Sequence, residues 1–371
     1  MLKGLFIFLN ILALIVLLLS CMAAYVNPSH FWLLSFLGFA FPVALIINFC
    51  FLLVWIARRK SFGLVTLIAI VLSWKFIQST FAMHFHNENK EQGIKLMTWN
   101  VKNFDLYNWS HNLKTRKEMM ALIRKEKPDI LCMQEFYSNN QLFHNLEYIR
   151  DTLGYPYFYF PPAVELNKLP KSKLQSTLWK TGVLNQRWGV AIFSRYPITD
   201  SGKVNINGTL ANDCIYADLD INNEKVRLYN VHFQSIHLGY DDYATLDSLE
   251  DKQQTDWIGL EKIMRKMKRA TVRRSQQANV VAENMKEFQG KEILCGDFND
   301  IPVSYTYKTV RGELQDAFVE KGKGFGATFV NKLSIFRIDY ALFDPSFSIH
   351  SYKTTYKDLS DHYPVCVTFL P

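Results

Sequence analysis

The sequence predicts a layered α/β domain from residue 94 onward, preceded by three apolar helices long enough to cross a membrane. Three observations predict it. Residues 1–86 contain three long apolar runs and no Asp or Glu. From residue 94, short strand-like apolar runs alternate with helical ones up to the last residues. Several of those strand-like runs end abruptly in Asp, Asn, Glu or His.

The apolar runs cover residues 5–26, 31–56 and 62–83, and each exceeds the roughly 20 helical residues needed to span a hydrocarbon core. The third carries Lys75, whose long stem lets the ammonium reach an interface. Within the spans, groups such as Asn48 and Lys75 are too few to suggest a transport path, so the segment reads as an anchor. Lys3 and the triplet Arg58-Arg59-Lys60 flank the spans; the positive-inside rule puts both on the cytoplasmic side and "YVNPSH" outside. Three crossings then carry the rest of the chain to the far side, the periplasm in a bacterium. If the third run does not cross, the domain stays cytoplasmic. A leader ending at "LLSC" is the lesser alternative, because two further apolar runs follow. The expected division is therefore a membrane anchor over 1–86, a polar linker over 87–93 and the layered α/β domain over 94–371.

The formal charge of +8 does not argue for nucleic acid. Five of the 42 basic residues precede residue 87, leaving 37 basic against 34 acidic residues, or +3, in the remainder. The six cysteines form no CxxC pair, and four of them sit in strand-like runs, where buried free thiols are expected.

Taken in order, "IKLMTWNV" reads as a strand, "HNLKTRKEMMALIRKEK" as a helix and "PDILCMQEF" as a strand ending in Gln134-Glu135. "WGVAIFSRYPI", "CIYADLDI" and "KVRLYNVHF" follow as strands, the last two joined by the turn "NNE". Residues 257–289 form a long helical stretch, and "KEILCGDFND", "RIDYALF" and "YPVCVTFL" complete the strands. Residues 241–256 are acid-rich, whereas 262–274 carry seven basic residues and no acid. That basic face is either solvated or apposed to anionic headgroups or a substrate phosphate.

Polar residues recur where these strands end: Asn100, Glu135, His232, Asp297 with Asn299, Asp339, and Asp361-His362. Singly each has an ordinary use as a cap, a turn residue or a satisfied core histidine. Burying each without partners costs about 1–3 kcal/mol, so one shared site with a metal and water satisfies them more simply than separate partners. The residue types suit phosphate-ester hydrolysis. Glu135 and Asp361, assisted by Asn100, offer hard oxygen donors for Mg²⁺. Asp297 can take a proton from an attacking water that Asn299 orients. His232 and His362 can donate to phosphoryl oxygens, and Asp339 can orient His362.

This set, with "TWNV", "QE", "GVAIFSRYPI", "NVHF", "GDFN", "RIDY" and "SDHYPV" in this order, resembles the endonuclease/exonuclease/phosphatase, or DNase I-like, superfamily. The resemblance covers residues 94–371 and none of the spans. It implies a four-layered α/β sandwich with two central mixed sheets, Mg²⁺ or Mn²⁺ dependence and one-step attack by water. It also matches Asn100 and Glu135 to metal-site residues, Asp297 and Asn299 to the catalytic pair, and Asp339 to the histidine-orienting aspartate. Asp361 and His362 match the terminal pair, and His232 a histidine of the DNase I and phosphatase branches. Lys102 departs from the abasic-site endonuclease branch, which has an acidic residue there; it is either a phosphate contact or a solvated lysine.

The expected protein is a membrane-anchored phosphodiesterase or phosphatase. Its partners are the lipid bilayer, through the N-terminal helices, and a phosphate ester, whether lipid headgroup, nucleic acid or soluble compound. No protein partner is identifiable from the sequence. The alternatives are a nuclease acting on extracytoplasmic nucleic acid and a catalytically inactive binding module; retention of Asp297 and His362 argues against the second.

Overall fold

The computed structural model describes residues 2–84, 92–110, 113–139, 142–161, 164–165, 186–207, 212–236, 242, 245, 256–330 and 335–371. The chain forms two compact units. One gathers residues 1–80, 234–279 and 299–310; the other gathers 81–233, 280–298 and 311–371.

The first unit begins with α1 (Leu2–Met22), α2 (Leu33–Phe39), α3 (Phe41–Ala57), α4 (Phe62–Leu72) and α5 (Trp74–Thr80). Among the described residues, only Lys3–Met22 is one unbroken helix long and apolar enough to cross a membrane. The other two expected spans are bent pairs, α2 with α3 at 61° and α4 with α5 at 57°. Both bends have local causes. Pro42 sits in the first turn of α3, where it cannot continue the preceding helix's hydrogen bonds. The Ser73 hydroxyl donates to the Ala69 carbonyl at 2.8 Å, a back-bond that bends helices. Polar groups between the helices bond one another only in part, for Asn10 Nδ2 and Asn48 Oδ1 are buried without a hydrogen-bond partner. Trp55 Nε1 and Thr66 Oγ1 both donate to Asn10 Oδ1, at 2.9 and 3.2 Å, and Asn48 donates to the Ala13 carbonyl at 2.9 Å.

The second unit is built on strands β1 (Ile94–Asn100), β2 (Ile130–Ser138), β3 (Tyr157–Tyr159), β4 (Val164–Glu165), β5 (Arg187–Ser194), β6 (Ile198–Val204) and β7 (Asp213–Ile221). After these come β8 (Glu224–His232), β9 (Lys291–Asp297), β10 (Gln315–Asp316), β11 (Asp339–Phe343), β12 (Ser348–Thr354) and β13 (Val365–Leu370). One sheet runs β12-β13-β1-β2-β5-β3 with β4 beside β5; the other runs β10-β11-β9-β8-β7-β6. Both are mixed: β1 with β2 and β8 with β9 are parallel, whereas the other named pairs are antiparallel.

The sheets pack face to face. Leu96, Cys132 and Ile192 of the first share one core with Leu228, Ile293, Cys295 and Ala341 of the second. The outer face of the first is covered by α6 (Lys114–Glu126), through Met119, Met120 and Ile123. Against the second, Tyr229 Oη donates to Asn284 Oδ1 at 3.1 Å.

Three strand expectations are corrected. "WGVAIFSRYPI" is not one strand, because the chain breaks at residues 195–197 into β5 and β6. β2 does not stop at Glu135 but continues to Ser138 through an irregular register. The edge strands β3 and β12 carry too little apolar alternation to have been recognised. The turn after β7 agrees with its sequence: Asn222 and Asn223 take positive φ of 55° and 65°, as a tight hairpin requires.

Helix α7 (Trp257–Glu287) contributes residues 257–279 to the first unit. There the connection after α1 packs on it. Ser29 and Ser275 hydroxyls are 3.4 Å apart, and Lys268 lies 5.1 Å over the Trp32 ring. Tyr305 of α8 (Tyr305–Arg311) donates to Asn279 at 2.9 Å and accepts from Asn27 at 3.4 Å. The acid-rich stretch 241–256 lies mostly outside the described residues, as does most of the expected linker.

Candidate active site

Strand periodicity explains how most of the polar residues meet. In β1, β8, β9 and β11, the residues facing the opposite sheet alternate as Leu96, Val226 with Leu228, Ile293 with Cys295, and Ala341 with Phe343. Continuing each series by period two reaches Asn100, His232, Asp297 and Asp339. The register aligns them: Asp297 stands opposite Asp339 on one side and beside His232 on the other. The inter-sheet core thus becomes polar at one end.

Two backbone features complete the delivery. Gly296 has φ of 134°, and a Cβ there would overlap the Val231 carbonyl oxygen of β8; only glycine allows Asp297 to follow so close to the neighbouring strand. Glu135 is out of phase with its strand. Leu131, Met133 and Phe136 share the outer face, so an extra residue is inserted between them. Glu135 absorbs it with φ of 50°. As a result both Gln134 and Glu135 reach the inter-sheet side: Gln134 donates to Asn230 at 2.6 Å, and Glu135 accepts from Asn100 at 3.2 Å.

Asp297 Oδ2 is the hub. It lies 3.0 Å from Asn100 Nδ2, 3.5 Å from His232 Nε2 and 3.7 Å from His362 Nε2. Glu135 Oε1 lies 3.9 Å from His232 Nε2, and its side chain is the most open of the group, 30% exposed. His362 Nδ1 is bonded to Asp339 Oδ2 at 2.9 Å. Burial alone favours a neutral ring, but Asp339 and Asp297 outweigh it and push the His362 pKa up to about 10. Burial in turn raises the Asp339 carboxyl, against the pull of His362. His362 is therefore protonated at neutral pH, and its Nε2 is an available donor.

Asp361 adjoins this group rather than entering it. Its Oδ2 is paired with Lys102 Nζ at 3.0 Å, and its Oδ1 accepts from Ser360 at 3.2 Å. Burial opposes its charge, yet His362 and Lys102 hold its carboxyl below the ordinary range. Lys102, its side chain 42% exposed, pairs with Asp361 and lies 5.5 Å over the Trp109 ring. It opens a run of four residues, Lys102 to Asp105, all with positive φ. β9 ends at Asp297, and Asn299 follows beyond the strand with φ of 52°. It belongs to the other compact unit.

Trp99, Gln134, Asn230 and Ser360 were not anticipated. Trp99 Nε1 donates to the His362 carbonyl at 2.9 Å, and Ser360 Oγ donates to the Asn100 carbonyl at 2.8 Å. Asn230 donates to the Met133 and Ala191 carbonyls across the sheets. Its signal was present: it is a carboxamide inside the apolar alternation of "YNVHF".

The donor set fits a hard divalent cation. The Asn100 Nδ2 donates to the carboxylates of Glu135 and Asp297, while its Oδ1 accepts from the Lys102 amide; carboxylate oxygens of this kind suit Mg²⁺ or Mn²⁺. Asp297, Asp339 and His362 also bring ligand atoms within 4.8 Å of one another.

Residues 97–362, from β1 to His362, match the Endonuclease/Exonuclease/phosphatase family. The chain belongs to that family. Residues 3–80 match a domain of unknown function, DUF8431. No curated protein matches the chain. Among solved structures, an endonuclease/exonuclease/phosphatase from Beutenbergia cavernae is similar at 16% identity and TM-score 0.50, covering 75% of this chain and 72% of that one. A family protein from Bacteroides thetaiotaomicron is similar at 17% identity and TM-score 0.50, covering 75% and 95%. D. rerio TDP2, humanized by 14 mutations, is similar at 15% identity and TM-score 0.50, covering 75% and 99%. At these identities the likeness establishes the shared fold.

Proposed function

We propose that the protein is a membrane-anchored phosphoesterase that hydrolyses phosphate esters with a divalent cation, Mg²⁺ or Mn²⁺. Its catalytic domain is residues 94–371, its linker 87–93 and its anchor 1–86. The observation that carries this reading is the convergence on Asp297 Oδ2 of Asn100, His232 and His362 within 3.7 Å. Buried carboxylates and imidazoles are seldom assembled so closely except where protons move.

A bound cation supplies charge neutralisation and polarises the P–O bond; Glu135, Asn100 and Asp361 are the oxygen donors we assign to it. Asp297 accepts the proton of the attacking water, and Asn299 orients that water. His362, held protonated by Asp339, donates from Nε2 to a phosphoryl oxygen as negative charge develops, with His232 as a second donor. Lys102 offers its ammonium to another phosphate oxygen, exchanging it for Asp361.

The assay is hydrolysis of bis-p-nitrophenyl phosphate and p-nitrophenyl phosphate by the full-length protein in nanodiscs with Mg²⁺. Asp297→Asn and His362→Ala each lower kcat by about 10³-fold or more, with the melting temperature retained. Wild-type rates in either variant, or in EDTA, defeat the assignment. Parallel arms with DNA and with phospholipid substrates separate nuclease from lipid phosphoesterase.

The anchor is read as three crossings with the catalytic domain outside the cytoplasm. Contacts inside the first unit support this. The connection after α1 packs on α7 and α8 through Ser29, Trp32 and Asn27. These later segments therefore lie at the end of α1 opposite Lys3, the residue that the positive-inside rule keeps in the cytoplasm.

A further inference from the structure

The first two-and-a-half turns of α7 display an unusual surface for a helix whose start is fixed. Asp256 caps it, its carboxylate accepting the Gly259 amide at 2.9 Å and the Thr245 hydroxyl at 3.1 Å. Yet Trp257 is 75% exposed, Ile258 79% and Met264 46%. The opposite side is buried through Ile263, Ala270 and Arg274.

Helical spacing relates this surface to the rest of the unit. Trp257, Met264, Lys268, Ser275 and Asn279 recur at intervals of 7, 4, 7 and 4 residues and so share one stripe. The later half of that stripe is occupied: Lys268, Ser275 and Asn279 meet Trp32, Ser29 and Tyr305. The earlier half is exposed at Trp257 and Met264. It leads directly from Trp32, whose neighbours Phe31 and Leu33 are themselves exposed on the apolar helices. Residues 257–269 carry five basic side chains and one acidic one. Lys262 and Lys266 lean on Asp242, and Arg265 pairs with Glu261, whereas Lys268 and Arg269 are exposed and have no acidic partner among the described residues.

We propose that the N-terminal part of α7 lies in the membrane–water interface, with Trp257, Ile258 and Met264 among the upper acyl chains and Lys268, Arg269 and Arg265 at anionic headgroups. The inference rests on the membrane-anchor reading above. Two features select lipid as the occupant. The stripe leads to the apolar surface of the anchor at Trp32, and the helix combines an aromatic-aliphatic edge with exposed cations, the combination of groups that holds a helix in an interface.

The test places an NBD fluorophore on single cysteines of the full-length protein in nanodiscs carrying a 5-doxyl lipid quencher. Labels go at position 257 (Trp257→Cys), position 264 (Met264→Cys) and position 223 (Asn223→Cys), each in a Cys50→Ser background. Native Cys50, exposed on α3, is the fourth site; the other five cysteines are buried. Labels at 257 and 264 are expected to be quenched about as strongly as the one at Cys50, and at least about twofold more than that at 223. Replacing phosphatidylglycerol by phosphatidylcholine, or introducing Lys268→Glu with Arg269→Glu, weakens the quenching at 257. If 257 and 264 behave like 223 while Cys50 is quenched, the interfacial helix is refuted and the anchor survives. If Cys50 itself is unquenched, the anchor reading fails and the inference with it.

Discussion

The His362 imidazole sits between two carboxylates, and its proton follows from that position. Because its pKa rises from the ordinary 6.5 to about 10 on folding, it contributes stability that is complete below about pH 6.5. That contribution is lost as pH rises through about 10. Asp339→Asn removes the partner at 2.9 Å. The melting-temperature gap between wild type and this variant should be wide at pH 6 and narrow by pH 10.5, as followed by near-UV circular dichroism. A gap that widens with pH contradicts a protonated His362. Gly296 makes a steric prediction at the same scale. Gly296→Ala drives a methyl into the Val231 carbonyl, costing on the order of 3 kcal/mol and displacing Asp297. Both the denaturant midpoint and phosphoesterase activity should fall.

At the scale of single elements, β9 shows how a strand can serve two ends differently. Its last residue is the hub carboxylate, while near its start Glu292 has a buried Oε1 without a hydrogen-bond partner. Burial raises the Glu292 pKa from 4.5 to about 7. The folded state therefore holds a proton that the unfolded chain has already released. Stability is unaffected below about pH 4.5 and declines as pH rises through about 7. Glu292→Gln avoids this loss and should stabilise the protein at pH 8 by on the order of 1 kcal/mol, after discounting for partial exposure. Below pH 4.5 the two proteins should melt alike. Other elements were legible to different degrees. Alternation carried Asn100, His232, Asp297 and Asp339 to one face because a strand's period is two whatever surrounds it. Glu135 escaped that logic, since a bulge depends on what the neighbouring strand demands. The bends at Pro42 and Ser73 were likewise hidden inside runs that hydropathy alone reads as continuous.

At the scale of the whole molecule, charge and connectivity make one prediction. On the proposed three-crossing anchor, the positive-inside rule keeps Lys3 and Arg58-Arg59-Lys60 on one side of the membrane and puts the connection packed on α7 on the other. A reporter fused after Pro371 should be active only outside the cytoplasm: alkaline phosphatase fusions should be bright and green fluorescent protein fusions dark. The reverse pattern means an even number of crossings.

The sequence by itself determined the family, the alternation of strands and helices, and the residue types of the site, because periodicity and chemical identity are local properties. It also set apart the acid-free apolar segment, since hydropathy needs no knowledge of neighbours. Only the tertiary structure decided that Asp297 is the hub, that Asp339 and Asp297 flank His362, and that Asp361 is held by Lys102. Those facts depend on register between strands and on burial, which join residues far apart in the chain. The same holds for the compact unit that draws residues 234–279 and 299–310 to the first 80: linear order divides a chain, but packing gathers it.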